Sequence, residues 1–255
     1  MRRWVRQVST RAGRRTQHYF LPGLRARREP IAAWVSFAVC AALALACGEP
    51  EPRAAVPAAA AAAELEPTAE LPVVLFLGTS LTAGYGLASE EAFPALVQQR
   101  IDQAALPYRV VNAGVSGDTS AGGRRRIDWL LRMPVAVLVV ELGANDMLRG
   151  LGIEALQDNL ESILERTRDA HPGVRFLIAG MRAAPNLGTA YAQQFDAIFP
   201  ALAERYDSAL IPFLLDGVAA VRHLNQPDGI HPTAEGHAVI TDTVWRALEP
   251  ILQDD

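Results

Sequence analysis

The sequence predicts an α/β fold, a single three-layer α/β/α domain on a five-stranded parallel sheet. Two observations predict it. Short apolar runs at residues 73–77, 109–112, 135–141, 174–179 and, more weakly, 209–213 alternate with stretches whose apolar residues recur at helical spacing. The first run, Val73-Val74-Leu75-Phe76-Leu77, is apolar at every position. That is the pattern of a strand covered on both faces, as in a parallel sheet between two helical layers.

Each element has its own signal. The first strand stops at Gly78, and the small and hydroxylated residues Thr79-Ser80-Leu81-Thr82-Ala83-Gly84 that follow read as a tight turn. Phe93, Leu96, Val97 and Ile101 mark the next helix. Ile153, Leu156, Leu160, Ile163 and Leu164 mark another, before the strand at 174–179. Phe195, Ile198, Phe199, Leu202 and Tyr206 mark a third, which Pro200 should kink or split by removing a backbone donor and crowding the preceding turn. A last helix is expected over residues 234–252, burying Val239, Ile240, Val244, Trp245 and Leu248.

The formal charge of −4 averages two unlike regions. Residues 1–47 carry nine arginines and one acid, Glu29, whereas residues 48–255 carry 15 arginines against 27 acids. An acidic body lacks the basic face that a nucleic-acid binder needs. The Arg-rich start followed by the uncharged apolar run 31–47 has the layout of an export signal. The residues ahead of Cys47 resemble a bacterial lipoprotein signal, in which that cysteine is lipidated. A plain cleaved signal and a retained anchor are the alternatives, and in all three the arginines stay on the cytoplasmic side and the body is exported. Membrane association would come through this N-terminus. Residues 48–70, rich in Ala, Pro and Glu, read as a tether, and the folded domain as 71–255. Cys40 and Cys47 are the only cysteines, so the body has no disulfide, thiol nucleophile or thiolate metal site. No metal motif is present, and no cofactor is expected.

Four segments after strands or before the last helix hold the polar residues of acyl-transfer chemistry. They are Gly78-Thr79-Ser80-Leu81, the stretch from Asn112 to Ser120, Gly143-Ala144-Asn145-Asp146, and Asp228-Gly229-Ile230-His231-Pro232. Each alone passes for an ordinary turn. A serine hydroxyl needs a base to act as nucleophile, and a histidine base needs a partner to fix its tautomer. Ser80, His231 and Asp228 supply those types, with acid and base three residues apart in one loop.

Together these blocks resemble the GDSL-type hydrolases of the SGNH superfamily, in particular the bacterial acyl-CoA thioesterase I, lysophospholipase L1 and arylesterase group, over residues 71–252. The resemblance implies a flavodoxin-like sheet, a Ser80-His231-Asp228 triad, and an oxyanion hole from the N–H groups of Ser80 and Gly117 and the side chain of Asn145. The implied substrates are small-molecule esters, thioesters or lipids. One departure stands out: the signature Gly-Asp-Ser-Leu reads Gly-Thr-Ser-Leu here, with Thr79 for the acid. Leu81, Met147, Leu148 and Ala183 are expected to line the acyl site. The remaining polar residues are read as structural: Asp118 and Asp146 as loop-shaping groups, His171 as a turn residue, His237 as a surface or partly buried helix residue, and Arg124, Arg125 and Arg126 as a solvated helix face. A sugar acetylesterase of the same superfamily is the nearest alternative. A non-catalytic flavin-binding module is a remote one, because it leaves Asn145, Asp228 and His231 without a role.

Overall fold

The computed structural model describes residues 70–253, so the expectations for the export signal, Cys47 and nearly all of the tether lie outside the described residues. Five strands, β1 (Val73–Gly78), β2 (Arg109–Gly114), β3 (Val135–Glu141), β4 (Arg175–Ala179) and β5 (Ala209–Ile211), pair in parallel in the order β2-β1-β3-β4-β5. The helices are α1 (Ser80–Ala83), α2 (Phe93–Gln103), α3 (Ser120–Leu130), α4 (Ala144–Leu148), α5 (Ile153–Ala170), α6 (Thr189–Tyr206) and α7 (Ala234–Gln253).

Connectivity explains the layers. The chain steps from β1 to β2 in one direction across the sheet, and every later step runs the other way. Right-handed crossovers therefore put α2 on one face and α3, α5 and α6 on the other. The packing agrees, with α2 against α7, α3 against α5, and α5 against α6. The reversal happens between β1 and β3, so the loops leaving those two strands diverge and open a crevice, the usual ligand position in open α/β sheets.

β1 is buried at every position. β2 is only half-buried, a departure from the expectation of strands covered on both faces, because it is an edge strand. α6 continues through Pro200, so the proline does not split it. Phe195, Ile198, Phe199 and Leu202 are all buried around that proline, and their packing outweighs one missing backbone bond. His237 is also a correction: it is 1% exposed. Its Nδ1 accepts the Phe93 N–H at 3.0 Å, serving a helix start whose N-cap, Ala92, has no side-chain acceptor. Burial first, then the neighbouring His231, holds its pKa down to about 4, so it is a neutral acceptor.

Register sets up the site. Gly78 pairs with Gly114 on one side and Glu141 on the other, so three strands end level. A Cβ at Gly114 would lie 2.2 Å from the Ala83 backbone nitrogen, because α1 sits on the end of β2. Gly114→Ala is expected to destabilise the fold by about 3 kcal/mol. Urea unfolding would show this as a lower midpoint at unchanged m-value.

Candidate active site

β1 delivers the chain to the crevice and α1 begins at once. Ser80 is the first residue of this four-residue helix, and Thr79 is its N-cap, accepting the Leu81 N–H at 3.4 Å. A Cβ at Gly78 would lie 1.9 Å from Thr82 Oγ1 and 2.7 Å from Glu141 Oε2, so only glycine lets the strand turn this tightly against both.

Beneath the turn lies Glu141, the last residue of β3, 1% exposed. Its Oε2 accepts the N–H groups of Thr79 (2.8 Å) and Thr82 (3.3 Å) and the Thr82 hydroxyl (2.8 Å), while the Thr79 hydroxyl lies 3.0 Å from both carboxylate oxygens. Burial pushes its pKa up, and the hydrogen bonds from Thr79 and Thr82 oppose that rise. Here the departure at Thr79 acquires a physical reading. The threonine hydroxyl donates to a buried carboxylate, where an acid at this position would set two carboxyl groups side by side.

Asp228 and His231 come from the loop before α7, and the loop folds around Asp228. Its Oδ1 accepts the N–H groups of Ile230 (2.9 Å) and His231 (3.0 Å), and its Oδ2 lies 2.7 Å from His231 Nδ1. The bond to the His231 ring, then the two backbone donors, hold the Asp228 pKa down to about 2. An ionised Asp228 can only accept, so the proton sits on Nδ1 and leaves Nε2 with a lone pair. That nitrogen is 3.0 Å from Ser80 Oγ. The loop is anchored by Gln226, whose Nε2 donates to the carbonyls of Tyr85 (2.7 Å) and Pro232 (2.9 Å), and the Tyr85 ring lies 4.5 Å from the His231 ring.

Gly117 and Asn145 flank the serine turn. Gly117 has φ +78° in the turn closed by the Asp118 N–H on the Val115 carbonyl, and Arg149 holds its carbonyl at 2.6 Å. Asn145 donates one Nδ2 hydrogen to the Asp118 carbonyl at 2.9 Å, which fixes the direction of the other. Asp146 is buried and accepts the N–H (2.8 Å) and hydroxyl (2.5 Å) of Ser120, fastening α4 to the start of α3. Asp118 pairs with Arg126 at 2.8 Å instead of bonding backbone.

The residues expected to line the acyl site separate. Leu81 is turned into the core at 5% exposure, where it packs instead of facing substrate. Met147 is buried, and its sulfur accepts the Ala184 N–H at 3.3 Å. Leu148 is exposed and Ala183 half-buried. His171 ends α5, with Nε2 3.1 Å from the Leu131 carbonyl. Of the three arginines, Arg124 and Arg125 are exposed as expected, but Arg126 is half-buried because its guanidinium caps strand ends. A cavity of about 600 Å³ lies elsewhere, against β5 and α7, and takes none of its lining from Ser80, Asp228 or His231.

Glu141, Arg126, Gln226 and Tyr85 were not singled out as site residues from the sequence. Glu141 alone had a visible signal, a charge closing the apolar run Val135-Ala136-Val137-Leu138-Val139-Val140.

Comparison with known proteins gives a consistent result. The model of the GDSL-like Lipase/Acylhydrolase family matches residues 76–239. Esterase TesA of Pseudomonas aeruginosa is 40% identical over 180 residues, covering 70% of this chain and 89% of that protein. Thioesterase 1/protease 1/lysophospholipase L1 of Escherichia coli K12 is 38% identical over 184 residues, covering 71% and 86%. Among solved structures, a crystal structure of TesA superposes with a TM-score of 0.67 at 39% identity, covering 70% of this chain and 99% of that one.

Proposed function

Because the chain belongs to the GDSL-like lipase/acylhydrolase family and is an ester hydrolase, we propose that it works through an acyl-enzyme on Ser80, with His231 as base and Asp228 as its partner. One observation carries this reading: the continuous line from Asp228 Oδ2 through both ring nitrogens of His231 to Ser80 Oγ, with contacts of 2.7 and 3.0 Å.

In the proposed sequence His231 Nε2 takes the Ser80 proton as Oγ attacks the acyl carbonyl. The N–H groups of Ser80 and Gly117 and the second hydrogen of Asn145 Nδ2 receive the oxyanion. Asp228 stabilises the imidazolium. Collapse expels the alcohol or thiol, which takes the proton from His231, and water activated by the same nitrogen releases the acid. Asn145→Ala is expected to lower kcat on the order of 10²- to 10³-fold with KM little changed, since its donor acts on charge that develops only in the transition state. Steady-state kinetics on a soluble aryl ester would read this.

The substrate range we propose is carboxylic esters and thioesters: aryl esters, short to medium acyl esters and lysophospholipids. It is supported by the names of the relatives, an esterase and a thioesterase/lysophospholipase. A chain-length series of p-nitrophenyl and thioester substrates beside a lysophospholipid tests it. Failure to turn over any of them, with acetylated sugars cleaved instead, would overturn it. We further propose that residues 1–47 export the enzyme, on the strength of the Arg-rich start and apolar run alone. Recovery of the chain in the cytosolic fraction would contradict this.

A further inference from the structure

The peptide bond that joins Gly78 to Thr79, immediately before Ser80, is held at both ends by ionisable side chains, a guanidinium on its carbonyl and a carboxyl group on its N–H. Its carbonyl accepts from Arg126 Nη2 at 3.0 Å and from the Val115 N–H at 3.0 Å. Its N–H donates to Glu141 Oε2 at 2.8 Å. Arg126 comes from α3 and Glu141 from the end of β3, and among the described residues the two form no direct ion pair. They meet through the peptide.

The partners of each charge point to the same purpose. Among the described residues every hydrogen bond to the Glu141 carboxyl group comes from Thr79 or Thr82, the residues that bracket Ser80 and Leu81. Arg126 takes the Gly78 carbonyl, the Ala113 carbonyl one residue before the end of β2, and the carboxylate of Asp118, which follows Gly117. A buried carboxylate is a costly way to close a strand, because desolvation opposes its charge. A neutral side chain would satisfy two backbone amides at less cost. The Glu141 carboxyl group and the Arg126 guanidinium grip opposite ends of one peptide. They fix its plane from both sides, the guanidinium through a charge-assisted bond to the carbonyl.

We propose that Arg126 and Glu141 are positioning residues of this active site, clamping the Gly78–Thr79 peptide and so setting the direction of the Ser80 N–H and Oγ. The proposal rests on Ser80 being the nucleophile. Neither residue touches the reacting atoms. Both act through the backbone that carries Ser80, and misplacement of a reacting group by about 1 Å can cost on the order of 10²-fold in rate.

The test is a double-mutant cycle in the full chain with Glu141→Gln, Arg126→Met and both together, on p-nitrophenyl butyrate. Each single variant is expected to lose about 10- to 100-fold in kcat with KM within about threefold. Affinity for an arylboronic acid, which adds to Ser80 as a tetrahedral anion, should fall in parallel. The double variant should lose hardly more than the worse single one, since a clamp open at one end no longer holds. Arg126→Lys should recover part of the Arg126→Met loss. If Glu141→Gln does not fold, Thr82→Val removes only the 2.8 Å hydroxyl contact to Glu141 and is expected to lose several-fold in kcat. Single losses that multiply in the double variant, or losses confined to KM, would overturn the proposal. So would variants as fast as wild type. Absence of ester turnover in the wild type would instead overturn the assignment of Ser80, and the clamp with it.

Discussion

Ser80→Ala is expected to lower kcat on a soluble aryl ester by at least about 10⁴-fold, the scale on which losing a serine nucleophile acts in triad hydrolases. The fold should not notice. Among the described residues the Ser80 hydroxyl bonds only His231 Nε2, the helix start is capped by Thr79, and the turn is fastened below by Glu141. The variant should therefore melt at the wild-type temperature while losing covalent labelling by a fluorophosphonate. Wild-type turnover in a correctly folded Ser80→Ala protein would remove the serine from the mechanism.

Asp228→Asn has the next largest expected effect, a loss in kcat on the order of 10³-fold. An asparagine amide facing His231 Nδ1 donates instead of accepting. The ring proton is driven to Nε2, and Ser80 then faces a donor where it needs a base. The loss should be somewhat smaller than for a buried acid, because the Asp228 side chain is 40% exposed and solvent weakens its hold on the imidazolium. The pH dependence follows from its depressed pKa. A carboxylate ionised more readily in the folded state contributes stability above its unfolded value near 3.8, and loses it as pH falls through about 2. Activity and melting profiles should accordingly show no Asp228 step between pH 4 and 8. Recovery of Asp228→Asn activity at any pH in that window would contradict the tautomer argument.

How much of this was legible beforehand divides along a physical line. The parallel sheet could be read because β1 is apolar throughout. That Ser80, Asp228 and His231 meet could be read because acyl-transfer chemistry needs those side-chain types, at a strand end and in one loop, and they come within hydrogen-bond reach. The contacts of Glu141 and Arg126 could not, since they depend on strands ending level, which brings Glu141 to a residue 62 positions away. His237 was misplaced because its partner, the Phe93 N–H, lies 144 residues off, and no local pattern signals such a pair. Leu81 was misplaced for a related reason. In a four-residue helix laid across the end of the sheet, the residue after the serine points down into the core.

Asp228 and His231, the proposed acid and base, sit three residues apart in one loop, joined to each other by a side-chain and a backbone contact. They form a preassembled cartridge. If the loop swings away, Ser80 loses, in the proposed mechanism, its base and the base's partner in a single event, while the Asp228–His231 pair itself stays intact. Gln226 is then the latch, because it ties the cartridge to the Tyr85 carbonyl on the serine side. The same arrangement gives the chain a modular way to vary. Insertions ahead of Asn225, in the irregular segment after β5, leave untouched the Asp228–His231 geometry that the cartridge carries within itself.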